Sequence, residues 1–409
     1  MPGTIGSTLA STSMLRPGIL FIGHGASRTG APVSLLNIIK WTREHSDFDC
    51  HLILGNAGPL VDEYAKFASV QVWNITREQT GGHGPLAARM LSWIGRGAMS
   101  LQQRHSAILA QLQALPIHCI FNNTGVNGHI LEAVRSRTTA PIVSRIPELE
   151  GYMRKNNRNG SVDRILALTD HFVAVSEAVK KNLAQRHAVP AERIAVVHGA
   201  SAAARTHRGE TGLRTKLGLV DDTFLVGACG TLEYHKGVDL FIQLAHHCVN
   251  RLGRRDIHFC WIGACASQDS CIEYKFEVEH LGLQRHLFFI GQVEQTAPAF
   301  ADMDVFALTS REDSFPLVMI EAARQGLPVV CFQDSGGATE FVDADIGAAV
   351  PMLDVAAFAQ AVLALRDSPE RQRSLGEAAY QRSLAYTPER MAGAIHRVIE
   401  QVAQQPAQV

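Results

Sequence analysis

Short, continuously apolar runs alternate with longer helix-compatible stretches along almost the whole chain. Strands that are apolar on both faces are typical of parallel sheets covered by helices. Their alternation with helices favours right-handed strand–helix–strand units in doubly wound sheets, so the sequence predicts the α/β fold class. Helices are predicted in the gaps, for example over 238–251 and 317–325. The predicted strands cover 19–23, 50–55, 70–74, 118–122, 141–146, 171–176, 193–198, 224–230, 257–263, 286–291, 304–310 and 328–332.

The chain of 409 residues is long enough for two domains. A small, polar and basic stretch without apolar periodicity, at 200–212, marks the break between them. Two Rossmann-like sheets would then face each other across a cleft, with ligands beyond the carboxyl ends of the strands. The predicted units are a flexible tail over 1–14, a first domain over 15–204, a hinge over 205–222, a second domain over 223–385, and a helical segment over 386–409 that can pack back on the first domain.

Charged residues are distributed unevenly between the two halves. Residues 1–204 carry 20 Lys and Arg against 13 Asp and Glu, and residues 205–409 carry 18 against 26. A basic half can attract phosphates, acidic glycans or anionic lipid, although chance distribution over solvated faces explains the same numbers. Nucleic acid is not expected as a partner, because the chain has no dense basic stripe with interleaved aromatic residues.

Cysteines and apolar runs bear on the cellular location. The eight cysteines form no Cys-x-x-Cys pair and match no zinc spacing, which suits a reducing compartment. No apolar run approaches the roughly 18 residues that a membrane span needs. The expected location is the cytoplasm, with peripheral contact at the inner membrane face through the basic half as an option. The helical stretch 85–115 mixes Arg with apolar residues and could either provide that contact or pack in the core.

A candidate phosphate site follows the predicted strand at 224–230. The strand ends in Gly230, a short loop follows, and Lys236 and Gly237 open the next helix. Backbone N–H groups at a helix N-terminus, together with a Lys, make a cradle for a diphosphate. An ordinary strand–helix turn with a solvated Lys fits this segment equally well.

A pair of acids follows the predicted strand at 304–310. Asp313 lies in the loop after the strand, and Glu321 lies eight residues later on the next helix. Both carboxylates can face one ligand at the helix N-terminus, where they would accept hydrogen bonds from sugar hydroxyls. The alternative is an acid favoured by the helix dipole beside a solvated Glu.

This block resembles a known family. Asp313, seven residues, Glu321, Ala322 and then Gly326-Leu-Pro-Val329 is similar to the C-terminal signature of the retaining glycosyltransferases of family 4 (glycosyl transferases group 1), which have the GT-B fold. The resemblance implies retaining transfer of a sugar from a nucleotide-diphosphate sugar to a glycan, lipid-linked or small-molecule acceptor. It continues at 28–36, 173–183, 193–199 and in the Gly-Gly-x-x-Glu turn at 335–340, and so spans roughly 18–390.

The resemblance also implies roles for single residues. Glu321 would hold the nucleotide ribose, Asp313 would hold the transferred sugar, and Lys236 would neutralise the diphosphate; these three are the predicted catalytic residues. The predicted donor-binding set is Gly30, Gly230, Thr231, Lys236, Gly263, Val293, Ser314, Phe315, Pro316, Leu317 and Glu321. The acceptor-side candidates are Arg28 and, at predicted strand ends that face the cleft, Glu148 and the run Asn122-Asn123-Thr124, of which Asn123 is the preferred residue.

Two residues depart from the family pattern. Thr231 stands where the family usually has an Arg, so that a phosphate-binding cation is missing or is supplied by Arg28 or His235. Pro147 stands where the family often has a His that touches the reacting sugar. A catalytically weakened GT-B protein that binds nucleotide-sugar or glycan therefore stays open, as does a sugar-nucleotide epimerase.

No cofactor and no metal are expected. The segment Asp302-Met-Asp304 imitates a metal-binding Asp-x-Asp motif, but it leads directly into a predicted strand. Two positive sources, Lys236 and the helix N-termini, already serve the expected diphosphate.

Overall fold

The computed structural model describes residues 16–74, 100–157, 159–220, 222–265 and 268–404. The predicted tail over 1–14 and the part of the stretch 85–115 that precedes residue 100 lie outside the described residues. The described strands are β1 Gly18–Gly23, β2 Asp49–Asn56, β3 Ser69–Asn74, β4 Ile117–Asn123, β5 Ile142–Ile146, β6 His171–Ala174, β7 Ile194–Val196, β8 Phe224–Cys229, β9 Ile257–Ile262, β10 Leu287–Gly291, β11 Val305–Leu308, β12 Val329–Phe332 and β13 Gly347–Val350.

The strands form two parallel sheets. The first sheet has the order β3-β2-β1-β4-β5-β6-β7, and the second has the order β10-β9-β8-β11-β12-β13. Every strand predicted from the sequence is present, with ends within two residues of the prediction. Strand β13 was missed because its residues, Gly347 to Val350, are mostly too small to form a recognisable apolar run.

Helices connect successive strands and cover the sheets. The predicted helices at 238–251 and 317–325 are confirmed, the first ending in a π-helical turn, His247–Arg251. The described α-helices are α1 Gly30–His45, α2 Val61–Tyr64, α3 Leu101–Gln113, α4 Gly128–Arg135, α5 Glu150–Asn156, α6 Ser161–Leu168, α7 Glu177–Arg186, α8 Leu213–Lys216, α9 Val238–His246, α10 Gln268–His280, α11 Ala297–Ala301, α12 Leu317–Arg324, α13 Val355–Arg366, α14 Pro369–Ser383 and α15 Pro388–Ala403.

The last helix, α15, packs against α1 beside the first sheet. It buries an apolar stripe at helical spacing, formed by Met391, Ile395 and Ile399. A Cβ added at Gly393 would come within 3.1 Å of the Trp41 ring, so the two helices are in close contact at this glycine. The chain therefore returns to the first sheet after it has completed the second.

The segment between the sheets is tied to the second sheet by two acids, the buried Asp302 and the partly buried Asp304. The Asp302 carboxylate accepts hydrogen bonds from the Gly209 and Leu213 backbone nitrogens at 2.5 and 3.0 Å. The Asp304 carboxylate pairs with Arg208 at 2.9 Å and accepts from the Leu225 nitrogen at 2.7 Å. These contacts give the Asp-x-Asp segment a structural role. The hinge over 205–222 and the other domain boundaries stay predictions.

Two cysteines are bonded to each other, which is not expected of a protein in a reducing compartment. Cys265, after β9, and Cys271, in α10, form a disulfide, with their Cα atoms 5.4 Å apart. The other six cysteines are free thiols, five of them buried. In the described part of the chain, no helix is both long and apolar enough to cross a membrane.

Candidate functional site

A cleft of about 600 Å³ lies between the two sheets. Its walls are the segments that follow β1, β4 and β5 in the first sheet and β8 and β11 in the second. The strand order reverses between β1 and β4 and between β8 and β11, and open α/β sheets bind ligands at such positions. The lining residues are His24, Thr29, Gly30, Ala31, Thr124, Val126, Pro147, Glu148, Leu149, Tyr152, Asn156, Thr231, Glu233, His235, Lys236, Glu312, Asp313 and Ser314.

The centre of the second-domain wall is an ion pair between two predicted site residues. Lys236 Nζ lies 2.6 Å from Asp313 Oδ2. Burial alone would lower the pKa of the Lys236 ammonium, but the Asp313 carboxylate outweighs burial and raises it. The Asp313 backbone is held from both sides, since its nitrogen donates to the Ser335 carbonyl and its carbonyl accepts from the Gly337 nitrogen. Lys236 is thus a fixed, fully charged cation.

The two neighbours of Asp313 reach across to the first domain. The Glu312 carboxylate accepts hydrogen bonds from the backbone nitrogens of Gly151 and Tyr152, at the start of α5. The Ser314 hydroxyl donates to the Pro147 carbonyl at 2.6 Å. Asp313 is consequently held against the segment that carries Glu148.

The first-domain wall contains a carboxyl group with an unusual proton affinity. Glu148 Oε1 accepts a hydrogen bond from the Gly125 nitrogen at 3.1 Å, and Oε2 is buried without a partner among the described residues. Burial raises the pKa of Glu148 to about 7, although Gly125 and Arg145 oppose this shift. A carboxyl group with such a pKa in a cleft is a candidate for binding or proton transfer.

Thr124, the last residue of the predicted acceptor-side run 122–124, lies in the same wall. Its φ is +92°, which is strained for a β-branched residue, and its Oγ1 is buried without a partner among the described residues. Strained backbone persists where the surroundings enforce it, and such positions cluster at functional sites. Its place directly after the strand end at Asn123 is what made it an acceptor-side candidate, because ligands bind beyond such strand ends.

The remaining predicted donor residues extend along the carboxyl edge of the second sheet. Gly230 and Gly263 end neighbouring strands, and a Cβ at Gly263 would lie 1.9 Å from the Gly230 carbonyl oxygen, so only glycine fits. Glu321 accepts a hydrogen bond from Thr296 Oγ1 at 2.7 Å, and burial raises its pKa despite that bond. Thr296, which the sequence reading missed, thereby orients Glu321. Val293 is partly buried against the apolar core.

Three residues predicted to line the donor site through their backbone have packing side chains. Phe315 is buried and lies against the His198 ring, with centroids 4.8 Å apart. Pro316 is buried at the start of α12. Leu317 lies between the two domains, within 3.6 Å of a Cβ added at Gly30. These contacts fix the N-terminus of α12 next to the cleft.

Two acceptor-side candidates do not line the cleft. Arg28 is exposed and pairs with Glu63 at 2.7 Å. Asn123 is fully buried, and its amide donates to the Ala31 carbonyl, which places it under the loop that carries Gly30. Of the acceptor-side candidates, the structure brings Glu148 and Thr124 to the cleft, whereas Arg28 and Asn123 are engaged within the first domain.

The cation missing at Thr231 is not replaced by either residue named from the sequence. Thr231 is exposed and lines the cleft. Arg28 is engaged by Glu63, and burial followed by the charge of Lys236 lowers the pKa of His235, which is therefore neutral at pH 7. Lys236 is the one Lys or Arg among the described lining residues.

The Gly-Gly-x-x-Glu turn forms a second contact between the domains. The Glu340 carboxylate accepts hydrogen bonds from the backbone nitrogens of Glu177 and Ala178, at the start of α7, and lies 2.8 Å from His198 Nε2. Burial opposes ionisation of Glu340, but these hydrogen bonds outweigh it and lower its pKa. Three segments that resemble the family, far apart in sequence, therefore meet at one carboxylate.

By sequence, the match to a known family lies in the second half of the chain. Residues 210–382, which include Lys236, Asp313 and Glu321, match the family model described as glycosyl transferases group 1. The D-inositol 3-phosphate glycosyltransferase of Corynebacterium diphtheriae is 26% identical over 185 residues, which cover 44% of this chain and 43% of that protein. The alpha-galactosylglucosyldiacylglycerol synthase of Streptococcus pneumoniae is 33% identical over 123 residues, which cover 29% of this chain and 31% of that protein. These matches span less than half of the length of the curated relatives.

Solved structures match over nearly the whole chain. HepE of Anabaena, in complex with UDP and glucose, superimposes with a TM-score of 0.75 at 19% identity and covers 93% of this chain and 99% of its own. The sucrose-phosphate synthase of Thermosynechococcus elongatus superimposes with a TM-score of 0.74 at 17% identity and covers 95% and 99%. At such identities the likeness establishes architecture. The fold is GT-B, with two Rossmann-like, doubly wound parallel-sheet domains facing a cleft, as the sequence predicts.

Proposed function

We propose that this chain is a glycosyltransferase that moves a sugar from a nucleotide-diphosphate sugar to an acceptor hydroxyl, with retention at the anomeric carbon. The observation that carries the proposal is the Lys236–Asp313 pair. It lies on the loops after the adjacent strands β8 and β11, within the range that matches the group 1 family model, and it shares a cleft with Glu148 of the opposite domain.

The donor would lie along the carboxyl edge of the second sheet. Lys236 would bind the diphosphate, and the N-terminus of α9 adds roughly half an elementary positive charge there. Glu321, oriented by Thr296, would accept hydrogen bonds from the ribose hydroxyls. Asp313, next to the ammonium that holds the diphosphate, would accept hydrogen bonds from the transferred sugar. The structures of HepE in complex with UDP and with UDP-glucose support a nucleotide-sugar donor.

The proposed reaction is a displacement at the anomeric carbon. The bond between that carbon and the β-phosphate oxygen breaks, and its electron pair leaves with the phosphate. The acceptor oxygen forms the new bond on the same face, and its proton passes to the departing phosphate oxygen. The products are a glycoside and a nucleoside diphosphate. Lys236 stabilises the charge that develops on the leaving group, which is electrostatic catalysis.

The acceptor would approach from the first domain, where Glu148 and Thr124 line the cleft. The names of the curated relatives point to different molecules, an inositol phosphate in one and a glycosylated diacylglycerol as the product in the other. The acceptor is therefore proposed only as a glycan, a lipid-linked molecule or a small molecule. A cytoplasmic location with peripheral contact at the inner membrane face is part of the proposal. The positive balance of residues 1–204 supports the membrane contact, and the Cys265–Cys271 disulfide is an observation against a reducing compartment.

A panel of UDP-, GDP- and ADP-sugars tests the proposal. Release of a nucleoside diphosphate, dependent on Lys236, is the expected result, and retention is read from the anomeric configuration of the product by NMR. Isomerised sugar without release would identify an epimerase instead. Binding without turnover would favour a catalytically weakened protein, for which Thr231 and Pro147 are the sequence support.

A further inference from the structure

One carboxylate of the second domain holds the beginning of a first-domain helix. The two oxygens of Glu312 lie 2.9 and 3.0 Å from the Gly151 nitrogen, and Oε1 lies 3.3 Å from the Tyr152 nitrogen. The first N–H groups of an α-helix have no partner inside the helix, so α5 receives its N-terminal hydrogen bonds from the other domain.

Gly151 makes this approach possible. A Cβ at this position would lie 2.9 Å from Glu312 Oε2 and 3.0 Å from Oε1, which is too close for a carboxylate that stays in place. An alanine there would push the carboxylate away from the two backbone nitrogens. The contact can therefore be broken from either domain, which provides two independent variants for a test.

The same junction continues on the other side of Asp313. The Ser314 hydroxyl donates to the Pro147 carbonyl at 2.6 Å, so the residues before and after Asp313 both bind the segment 147–152. That segment carries Glu148, the acceptor-side candidate that lines the cleft. Asp313 and Glu148 are thus held in a fixed relation by their neighbours.

Helix α5 also contacts the loop that carries Lys236. The Tyr152 ring lies against the His235 ring with centroids 5.4 Å apart. Lys155 Nζ lies 3.8 Å from the Glu233 carboxylate. The orientation of α5, set at its first turn by Glu312, therefore bears on both walls of the cleft.

We infer that Glu312 is a positioning residue: by holding the N-terminus of α5 it sets the acceptor-side segment 147–152 against Asp313, so that an acceptor hydroxyl rather than water reaches the donor. The inference rests on the proposed function. When an active site closes, it excludes water and completes the reacting geometry. Transfer to an acceptor is thereby favoured over hydrolysis. In the proposed arrangement the Glu312 carboxylate binds the Gly151 and Tyr152 nitrogens and contacts no reacting atom.

The first arm of the test measures how the donor is partitioned between acceptor and water. Glu312→Gln, Gly151→Ala and the double variant are compared with the wild type, using the sugar donor that the panel identifies and glycerol as the acceptor probe. Glu370→Gln is the matched control, because Glu370 is an exposed Glu at the start of another helix, α14. Each single variant should lower the ratio of glycosyl-glycerol to free sugar about tenfold, with UDP affinity unchanged.

Non-additivity identifies the contact. The double variant should be no worse than the more damaged single variant, since both changes break the same interaction. An unchanged ratio, or an equal fall in transfer and hydrolysis, overturns the inference.

The second arm uses amide hydrogen exchange and needs no turnover. The amides of Gly151 and Tyr152 should exchange about tenfold faster in Glu312→Gln than in the wild type, since they lose a net stabilisation of roughly 1.5 kcal/mol. Equal exchange rates overturn the contact and the inference with it. If no donor is turned over, the proposed function fails, and this arm still decides whether Glu312 holds α5.

Discussion

The Lys236 ammonium and the Asp313 carboxylate lie 2.6 Å apart, and each compensates the charge of the other at the edge of the cleft. Removing one partner of such a pair leaves the charge of the other uncompensated. Without Asp313, the Lys236 ammonium can pair fully with a diphosphate, whereas without Lys236 the diphosphate loses its cation. The two residues are therefore expected to affect nucleotide binding in opposite directions.

Lys236→Ala should weaken UDP binding by about 1.5–3 kcal/mol, the range for a hydrogen bond to a charged group. Uridine, which has no phosphate, should bind the variant and the wild type equally. Isothermal titration calorimetry with both ligands measures the difference. Lys275→Ala, at an exposed position on α10, is the control. An equal loss for uridine and UDP would place Lys236 away from the phosphates.

Asp313→Asn should leave UDP binding unchanged or tighten it, because the ammonium of Lys236 loses its competing carboxylate. Sugar transfer should fall by about 2 kcal/mol or more in transition-state stabilisation, since the amide is a poorer acceptor for sugar hydroxyls. Glu321→Gln should instead act mainly on nucleotide affinity, which it should weaken. Steady-state kinetics together with UDP titration separate these effects. Near-normal turnover of Asp313→Asn would show that Asp313 does not contact the transferred sugar.

Glu148 makes the folded state less stable as the pH rises. Its pKa is about 7 in the folded chain and 4.5 as the reference value, so the folded state binds more protons between these values. The contribution of the Glu148 carboxyl to the free energy of unfolding is fully present below pH 4.5 and is lost as the pH rises through about 7. Glu148→Gln should therefore match the wild type at low pH and exceed its free energy of unfolding by about 1–3 kcal/mol at pH 8. Urea unfolding at several pH values checks this, and a difference independent of pH would contradict it.

The pH dependence of the stability that Glu340 contributes is opposite to that of Glu148. Its lowered pKa means that the contribution to stability is present above the reference value of 4.5 and is lost as the pH falls through the folded-state pKa. Glu340→Gln should cost about 1–3 kcal/mol at neutral pH, because the start of α7 and His198 lose a charged acceptor. The difference from the wild type should narrow in acid. Glu377→Gln, at an exposed Glu that pairs with Arg205, serves as the surface control.

The proposed transfer should need no divalent metal. Asp302 and Asp304 are engaged by backbone nitrogens and arginines of the chain. Turnover after exhaustive EDTA treatment should therefore equal turnover with added Mg²⁺ or Mn²⁺. Activity lost with EDTA and restored by metal would refute this expectation. Thr231→Arg would then show whether the metal replaces the missing cation, since that variant should be active without metal.

The parallel sheets and most strand limits were predictable from the sequence. A strand buried on both faces must be apolar throughout, and this requirement is visible in contiguous residues. Strand β13 escaped because Gly347, Ala348 and Ala349 carry too little side chain to mark it. Thr296 was missed because a Thr has no spacing or charge that distinguishes a site residue from any other Thr.

The sequence by itself determined the α/β architecture. It also placed Lys236 and the acid pair Asp313 and Glu321 after strands of the second sheet, because such positions can be read from neighbouring residues within one strand–loop–helix unit. The tertiary structure alone decided that Arg28 is engaged by Glu63, that Asn123 is buried, and that Glu312 binds α5. These contacts join residues 35 to 161 positions apart. Local periodicity carries no information about which distant carboxylate meets which helix end, so only the packing of the two domains could establish them.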